Sequence, residues 1–182
     1  QEVHSKELWI ATYEGILVLP LDSIVGGNYK VFSDRKGQGE LSHSDVFNIL
    51  EDHKERVWVG TEAGGLNRWH KGAERFTHFR HDIYDPNSIS SDNIISLFED
   101  SKQRLWISTL NGLNLWNEEN QHFSHFPEFP ELKEEVIQSF QEDQQGNLWM
   151  TTKQSLIRFN PGEKTLLRFD EQDGLLNTEF NT

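Results

Sequence analysis

The 182-residue sequence contains no cysteine, one methionine and five prolines. Without cysteine there is no disulfide framework, no thiol nucleophile and no cysteine-bound zinc, and the absence fits either the cytoplasm or the periplasm. No apolar run approaches the roughly 20 residues that a membrane-spanning helix needs. Positive charge is scarce: 17 Lys and Arg stand against 30 Asp and Glu, a formal net charge of -13. Such a surface repels a nucleic-acid backbone or an anionic membrane, so neither is expected as a partner. Apolar residues make up only 35% while aromatics reach 12%, which predicts a core of many short strands carrying Trp and Phe. The chain opens at Gln1 without a signal-peptide pattern, so any targeting segment is expected to be removed or to lie outside it.

What is present in abundance is repetition. A pattern at 51–69 returns at 99–116 and 142–159, with a degenerate copy at 8–19. In each copy a Trp (Trp9, Trp58, Trp106, Trp149) follows an aliphatic residue and precedes a Thr by three places (Thr12, Thr61, Thr109, Thr152). The Trp-to-Trp steps of 49, 48 and 43 residues match one four-stranded propeller blade per repeat better than the shorter helical arrays.

Period-2 segments agree with that spacing. Strands are expected at 8–12, 16–19 and 29–32; at 46–50, 57–61, 66–69 and 75–79; at 94–98, 105–109, 113–116 and 122–126; and at 136–140, 148–152, 156–159 and 166–169. The fold class is therefore all-β, with about four blades at 1–40, 41–81, 90–127 and 133–170, and with 171–182 starting a further blade or closing the first. Seven residues before Leu8 look too few for a turn and a preceding strand, so blade 1 is expected to lack its first strand. The longest connections, 81–92 and 127–135, fall between blades and carry Pro and Asn turn chemistry; 132–136 suits a single helical turn.

The recurrent Trp residues sit in the second strand of each repeat, where wedge-filling between blades is their expected use; Trp58, Trp106 and Trp149 are read as buried there. The Thr that follows is read as strand-end turn chemistry. Asp52, Asp100 and Asp143 lie six residues before their Trp, in hairpin turns, where a carboxylate caps backbone amides. With Glu51, Glu99 and Glu142 beside them a calcium site is conceivable, but none has the alternating carboxylates and central Gly of a calcium loop. The pairs His78/His81 and His122/His125 are spaced by three on strands, which does not aim two rings at one metal. No metal site, cofactor or catalytic constellation is expected: phosphate-binding, nucleophile-elbow and zinc-helix motifs are all missing. A recognition surface is expected on inter-blade loops and strand-end polar residues, with Arg68, Trp69, Asn114 and Trp116 as first candidates.

The Glu-Asp to Trp-x-x-Thr to Gly-Leu pattern of 51–69, 99–116 and 142–159, with the connector Asp85-Pro86-Asn87-Ser88 continuing to Ile94, resembles the two-component regulator propeller repeats. These are found in sensor regions of hybrid histidine kinases and related bacterial signalling proteins. Ala11, Ser108 and Thr151 depart from the family's Gly before the Thr, and Ser155 stands where other copies have Gly15, Gly64 and Gly112. Residues 173–181 are similar to the family's passage into a final blade. The resemblance implies a fragment of a seven-bladed propeller, periplasmic, in a membrane-anchored parent protein that carries a kinase or another output domain. It also implies a non-catalytic module that binds a small-molecule or oligosaccharide stimulus. Two other classes stay open: a propeller-type carbohydrate lyase or hydrolase, whose mark is a convergent carboxylate pair, and a protein-interaction scaffold. Raw blade edges at both ends suggest an open arc able to form a homodimer; a closed four-bladed ring is the rival.

Overall fold

The computed structural model describes residues 2–3, 6–22, 28–35 and 40–175. Four antiparallel sheets of four strands each follow one another along the chain. The first contains β1 (Glu2–Val3), β2 (Glu7–Thr12), β3 (Gly15–Pro20) and β4 (Lys30–Phe32). The second contains β5 (Val46–Glu51), β6 (Val57–Thr61), β7 (Leu66–His70) and β8 (Arg75–Phe79). The third has β9 (Ile94–Glu99), β10 (Leu105–Thr109), β11 (Gly112–Asn117) and β12 (His122–Ser124), and the fourth has β13 (Ser139–Glu142), β14 (Leu148–Thr151), β15 (Leu156–Asn160) and β16 (Thr165–Phe169). Each sheet is a sequential meander, the order of a propeller blade. A one-turn helix, α1 (Glu131–Glu134), lies in the connection before the fourth blade.

Two local expectations need correction. Blade 1 does have a first strand, because β1 pairs Glu2 with Leu8 and Val3 with Glu7. The strand expected at 136–140 starts only at Ser139. Ile137 is instead fully buried, and its carbonyl accepts a hydrogen bond from Ser108 Oγ at 2.7 Å. The closing strand expected beyond Leu175 lies outside the described residues.

The wedge between each pair of neighbouring blades holds one apolar cluster. Trp9, Phe32, Val46, Val59 and Phe76 fill the first, Trp58, Leu66, Ile94, Ile107 and Trp116 the second, and Trp106, Leu113, Ile137, Met150 and Phe159 the third. The repeated Trp of one blade meets an aromatic of the next at an angle: Trp9 with Trp69, Trp58 with Trp116, and Trp106 with Phe159, with ring centroids at 6.1, 5.5 and 6.2 Å. Such tilted and edge contacts suit the ring quadrupole and add to simple area burial. Trp149 has no following blade among the described residues. It is only half-buried, stacked on Phe169 of its own sheet at 5.9 Å, which corrects the expectation that it sits between blades. Contacts link β2 to β5, β5 and β6 to β9, and β9 to β13; no pairing of similar extent joins the first blade to the fourth among the described residues.

Candidate functional site

The same devices recur around each blade, and they decide which polar groups remain free for a ligand. After the first strand the chain turns through a residue with positive φ at the same place every time: Lys6, Glu55, Gln103 and Gly146. Only the last is glycine. In blades 2 to 4 the Asp that opens the turn holds it closed. Asp52 Oδ1 accepts the amides of Lys54 and Arg56 at 2.9 and 3.0 Å, and its Oδ2 accepts Arg56 Nε at 2.6 Å and the Trp58 indole N–H at 2.8 Å. Asp100 makes the same bonds with Lys102, Arg104 and Trp106, and Asp143 with Gln145, Asn147 and Trp149. Burial pushes the Asp52 carboxyl up, but the hydrogen bonds from Arg56 and Trp58 outweigh it and hold the group below the usual carboxylate range. Hydrogen bonds from Asn147, and then from Trp149, bring Asp143 down to about 2. In blade 1 the matching position is Val3, and the Trp9 indole donates instead to Glu7 at 3.4 Å.

The Glu beside Asp100 and the Glu beside Asp143 act between blades. Glu99 accepts the His53 amide at 2.9 Å and lies 2.6 Å from its Nδ1. Glu142 accepts the Ser101 amide at 2.7 Å and its hydroxyl at 2.8 Å. Each therefore grips the turn of the preceding blade. At the other end of the blade the Thr hydroxyl donates to a carbonyl across the hairpin: Thr12 to Gly15, Thr61 to Gly65, Thr109 to Gly112 and Thr152 to Ser155, at 2.9, 2.8, 3.3 and 3.3 Å. Gly112 has φ +101°, and a Cβ there would lie 2.3 Å from the Leu132 carbonyl oxygen. Ser155 is not among the positive-φ positions; its hydroxyl donates to Glu135 at 2.6 Å, so the fourth blade turns with a different backbone.

The four candidate recognition residues do not converge. Arg68 is half-buried, with its guanidinium carbon 5.5 Å from the Trp58 ring, 5.5 Å from Phe79 and 5.9 Å from Trp116. Burial, then the charge of Arg56, lowers its pKa. Trp116 is buried in the same stack, its indole donating to Glu118 at 3.0 Å. Trp69 packs in the wedge between blades 1 and 2 and lines a cleft of about 380 Å³ there. In that cleft Arg56 is already tied to Asp52 and to Glu118 of the third blade, at 2.6 Å each. Asn114 is fully buried: its Oδ1 accepts the Ser90 amide at 2.9 Å and its Nδ2 donates to Ser90 Oγ at 2.8 Å. Asn67 holds the Ser42 amide in the same way. Both asparagines tether the incoming inter-blade loop.

Those tethered loops build the larger cavity, about 550 Å³, at the end of the blades opposite the Asp turns. His81 and Ser90 come from the loop before blade 3, Asn111 from its β10–β11 hairpin, and His125, Phe126 and Lys133 from the connection to blade 4. The loops cross-bond: His81 meets the Ile89 carbonyl through Nδ1 at 2.8 Å, His125 meets the Ser88 carbonyl through Nε2 at 3.0 Å, and Asn111 Nδ2 donates to the Ser90 carbonyl at 3.1 Å. Leu113 and Leu132 form an apolar floor beside Phe126, which stacks on Trp106 at 5.6 Å. Among the described residues no carboxylate lines the cavity, and no group of three or more His, Asp or Glu able to hold a metal occurs. Sequence reasoning pointed to inter-blade loops but missed these residues, since three connections far apart in the chain contribute them.

The fold and these repeated devices define a β-propeller repeat protein. The two component regulator propeller family model matches residues 40–63, 88–111 and 131–154 of this chain. Histidine kinase P4 of Formosa agariphila is 27% identical over 179 residues, which cover 96% of this chain and 13% of that protein. Two solved extracellular domains of proteins described as hybrid two component systems of B. thetaiotaomicron superpose with TM-scores of 0.66 and 0.54, each at 15% identity. They cover 92% and 93% of this chain and 29% and 30% of those chains. YCF48 from Cyanidioschyzon merolae superposes with a TM-score of 0.59 at 16% identity, covering 90% of this chain and 53% of that one. At such identities the superpositions speak for the fold. The chain spans less than a third of the histidine kinase and of both extracellular domains.

Proposed function

We propose that the chain is a stretch of the sensor propeller of a two-component signalling protein, exposed outside the cytoplasmic membrane, and that it binds a small-molecule or oligosaccharide stimulus without transforming it. The observation that carries this is the alignment of nearly the whole chain with a histidine kinase, together with three matched regulator repeats. The loop cavity supports the binding part, because its open polar groups are set on a rigid sheet scaffold. Acid-base hydrolysis of a glycosidic bond needs two carboxylates across the scissile bond, and the described residues lining this cavity include none.

Two experiments test the reading. Thermal-shift screening of the chain with oligosaccharides identifies stabilising ligands; the same ligands are then added to the intact parent protein in membranes while autophosphorylation is followed. Ligands that stabilise the chain are expected to change the phosphorylation rate and to be recovered unaltered. A ligand that binds without altering phosphorylation, or that is cleaved, overturns the sensor reading. For location, Tyr84, 93% exposed, is changed to cysteine. Labelling of Tyr84→Cys in spheroplasts by an impermeant maleimide, above the wild-type background, is the expected result.

A further inference from the structure

We infer that the cavity takes a small polyhydroxylated carboxylate, a sugar acid, with its carboxylate on Lys133 and its hydroxyls on the facing acceptors. This rests on the sensor reading and adds the chemical class of the ligand. In a chain of net charge -13, Lys133 is the one charged side chain among the described residues that line this cavity, and it is a cation. Its neighbour Glu135 is engaged elsewhere, with Arg168 at 2.8 Å and Ser155 at 2.6 Å. The Lys133 ammonium has no ion pair among the described residues, so an incoming carboxylate gains a charge-assisted hydrogen bond without breaking an existing one.

The other polar groups select against a bare anion. His81 holds its Nδ1 proton on the Ile89 carbonyl, which leaves Nε2 as an acceptor; His125 holds its Nε2 proton on the Ser88 carbonyl, which leaves Nδ1. Asn111 uses Nδ2 on the Ser90 carbonyl, leaving Oδ1. Three acceptors call for a ligand rich in O–H donors, which inorganic phosphate or a simple fatty acid does not provide. Half-buried Phe126, over the buried Leu113 and Leu132, supplies the apolar surface on which the C–H face of a sugar ring packs. The volume of about 550 Å³ exceeds the needs of a monosaccharide, so a short acidic oligosaccharide also fits.

The test is an NMR titration of the 182-residue chain with D-galacturonate, with D-galactose as the neutral counterpart and inorganic phosphate as the bare anion. Saturable shifts at the amides of Asn111, Phe126 and Lys133 are expected with D-galacturonate. D-galactose is expected to bind roughly tenfold more weakly, the share of one charge-assisted hydrogen bond. Lys133→Gln, at an exposed position, should reduce D-galacturonate to the level of D-galactose, while Lys153→Gln should change nothing. Equal affinity for the two sugars, phosphate matching D-galacturonate, or no saturable shift with D-galacturonate overturns the inference. A neutral oligosaccharide that binds here and alters phosphorylation would overturn it too, while leaving the sensor reading intact.

Discussion

Replacing Asp100 by Ala removes one carboxylate and strands four donors at once: the Trp106 indole, the amides of Lys102 and Arg104, and the Arg104 guanidinium. The Asp100 side chain is wholly inaccessible and Trp106 is fully buried, so water does not reach the indole. Arg104 Nη2 is already buried without a partner, which leaves the side chain no second anchor. An orphaned buried donor costs on the order of 1–3 kcal/mol, and breaking a buried charge pair by losing one member costs about 3–5 kcal/mol. We therefore expect Asp100→Ala to lose about 4 kcal/mol, a large part of the ~5–15 kcal/mol stability of an ordinary domain. Asp143→Ala removes the matching turn and indole bonds, with the neutral Asn147 amide in place of the guanidinium, on a face that no further blade covers among the described residues; water substitutes for the carboxylate there, no cation is stranded, and the loss should be clearly smaller. Urea unfolding followed by far-UV circular dichroism gives both midpoints and slopes. If the two variants lose the same amount, or Asp100→Ala unfolds at the wild-type midpoint, the reasoning from burial fails.

Three further outcomes follow from the same geometry. Trp106→Ala, at a fully buried position, should cost roughly 3–5 kcal/mol, whereas Trp149→Ala should cost less, as read from their urea midpoints. Glu118 and Asp143 are each held at about 2, the first by Arg56 and Trp116 against the upward push of burial, the second by Asn147 and Trp149. Because these folded-state values lie below the unfolded ones, stability is fully present above about pH 5 and is lost as pH falls toward 2. A flat urea midpoint between pH 6 and pH 3 would refute this, and Asp143→Asn should soften the fall. Gly112→Ala combines a positive φ with contact against the Leu132 carbonyl, so a loss on the order of 1–3 kcal/mol is expected, with weaker binding in the neighbouring cavity; calorimetry and titration read both.

The fold was legible because its signals are local and repeated. A Trp in the second strand, a Thr closing the next hairpin and an Asp opening the previous one are contained within a dozen residues, so their spacing alone traces four sheets. What escaped lies between blades. Glu99 and Glu142 contact residues 46 and 41 positions away, and no pattern within one repeat reveals a partner in the preceding one. Asn114 read as a strand-end polar residue and proves to be a buried tether, as does Asn67, which the sequence did not single out. Arg68 and Trp116 read as open chemistry, but their polar and aromatic groups are spent on each other and on Trp58. Trp149 carries the full repeat signature and still differs in burial from Trp58 and Trp106, because burial depends on the next blade and not on the residue. The cavity is hardest to read in advance: His81, Asn111 and Lys133 become neighbours only once three blades have packed.

The backward reach of the glutamates makes the assembly directional. Blades 3 and 4 each supply the acceptor that completes the turn of the blade before, so cohesion among blades 2 to 4 is handed along the chain in one sense only, as in a linear array of coupled repeats. In the fourth blade the amide of Gln144, the counterpart of His53 and Ser101, has no such partner among the described residues, and Trp149 is uncovered beside it. Opening should begin there and travel toward the N-terminus, with amide deuterium uptake falling from blade 4 through blade 3 to blade 2. Whatever comes to cover that last sheet sets the opening free energy of every blade behind it, and with it the rigidity of the loops around Lys133.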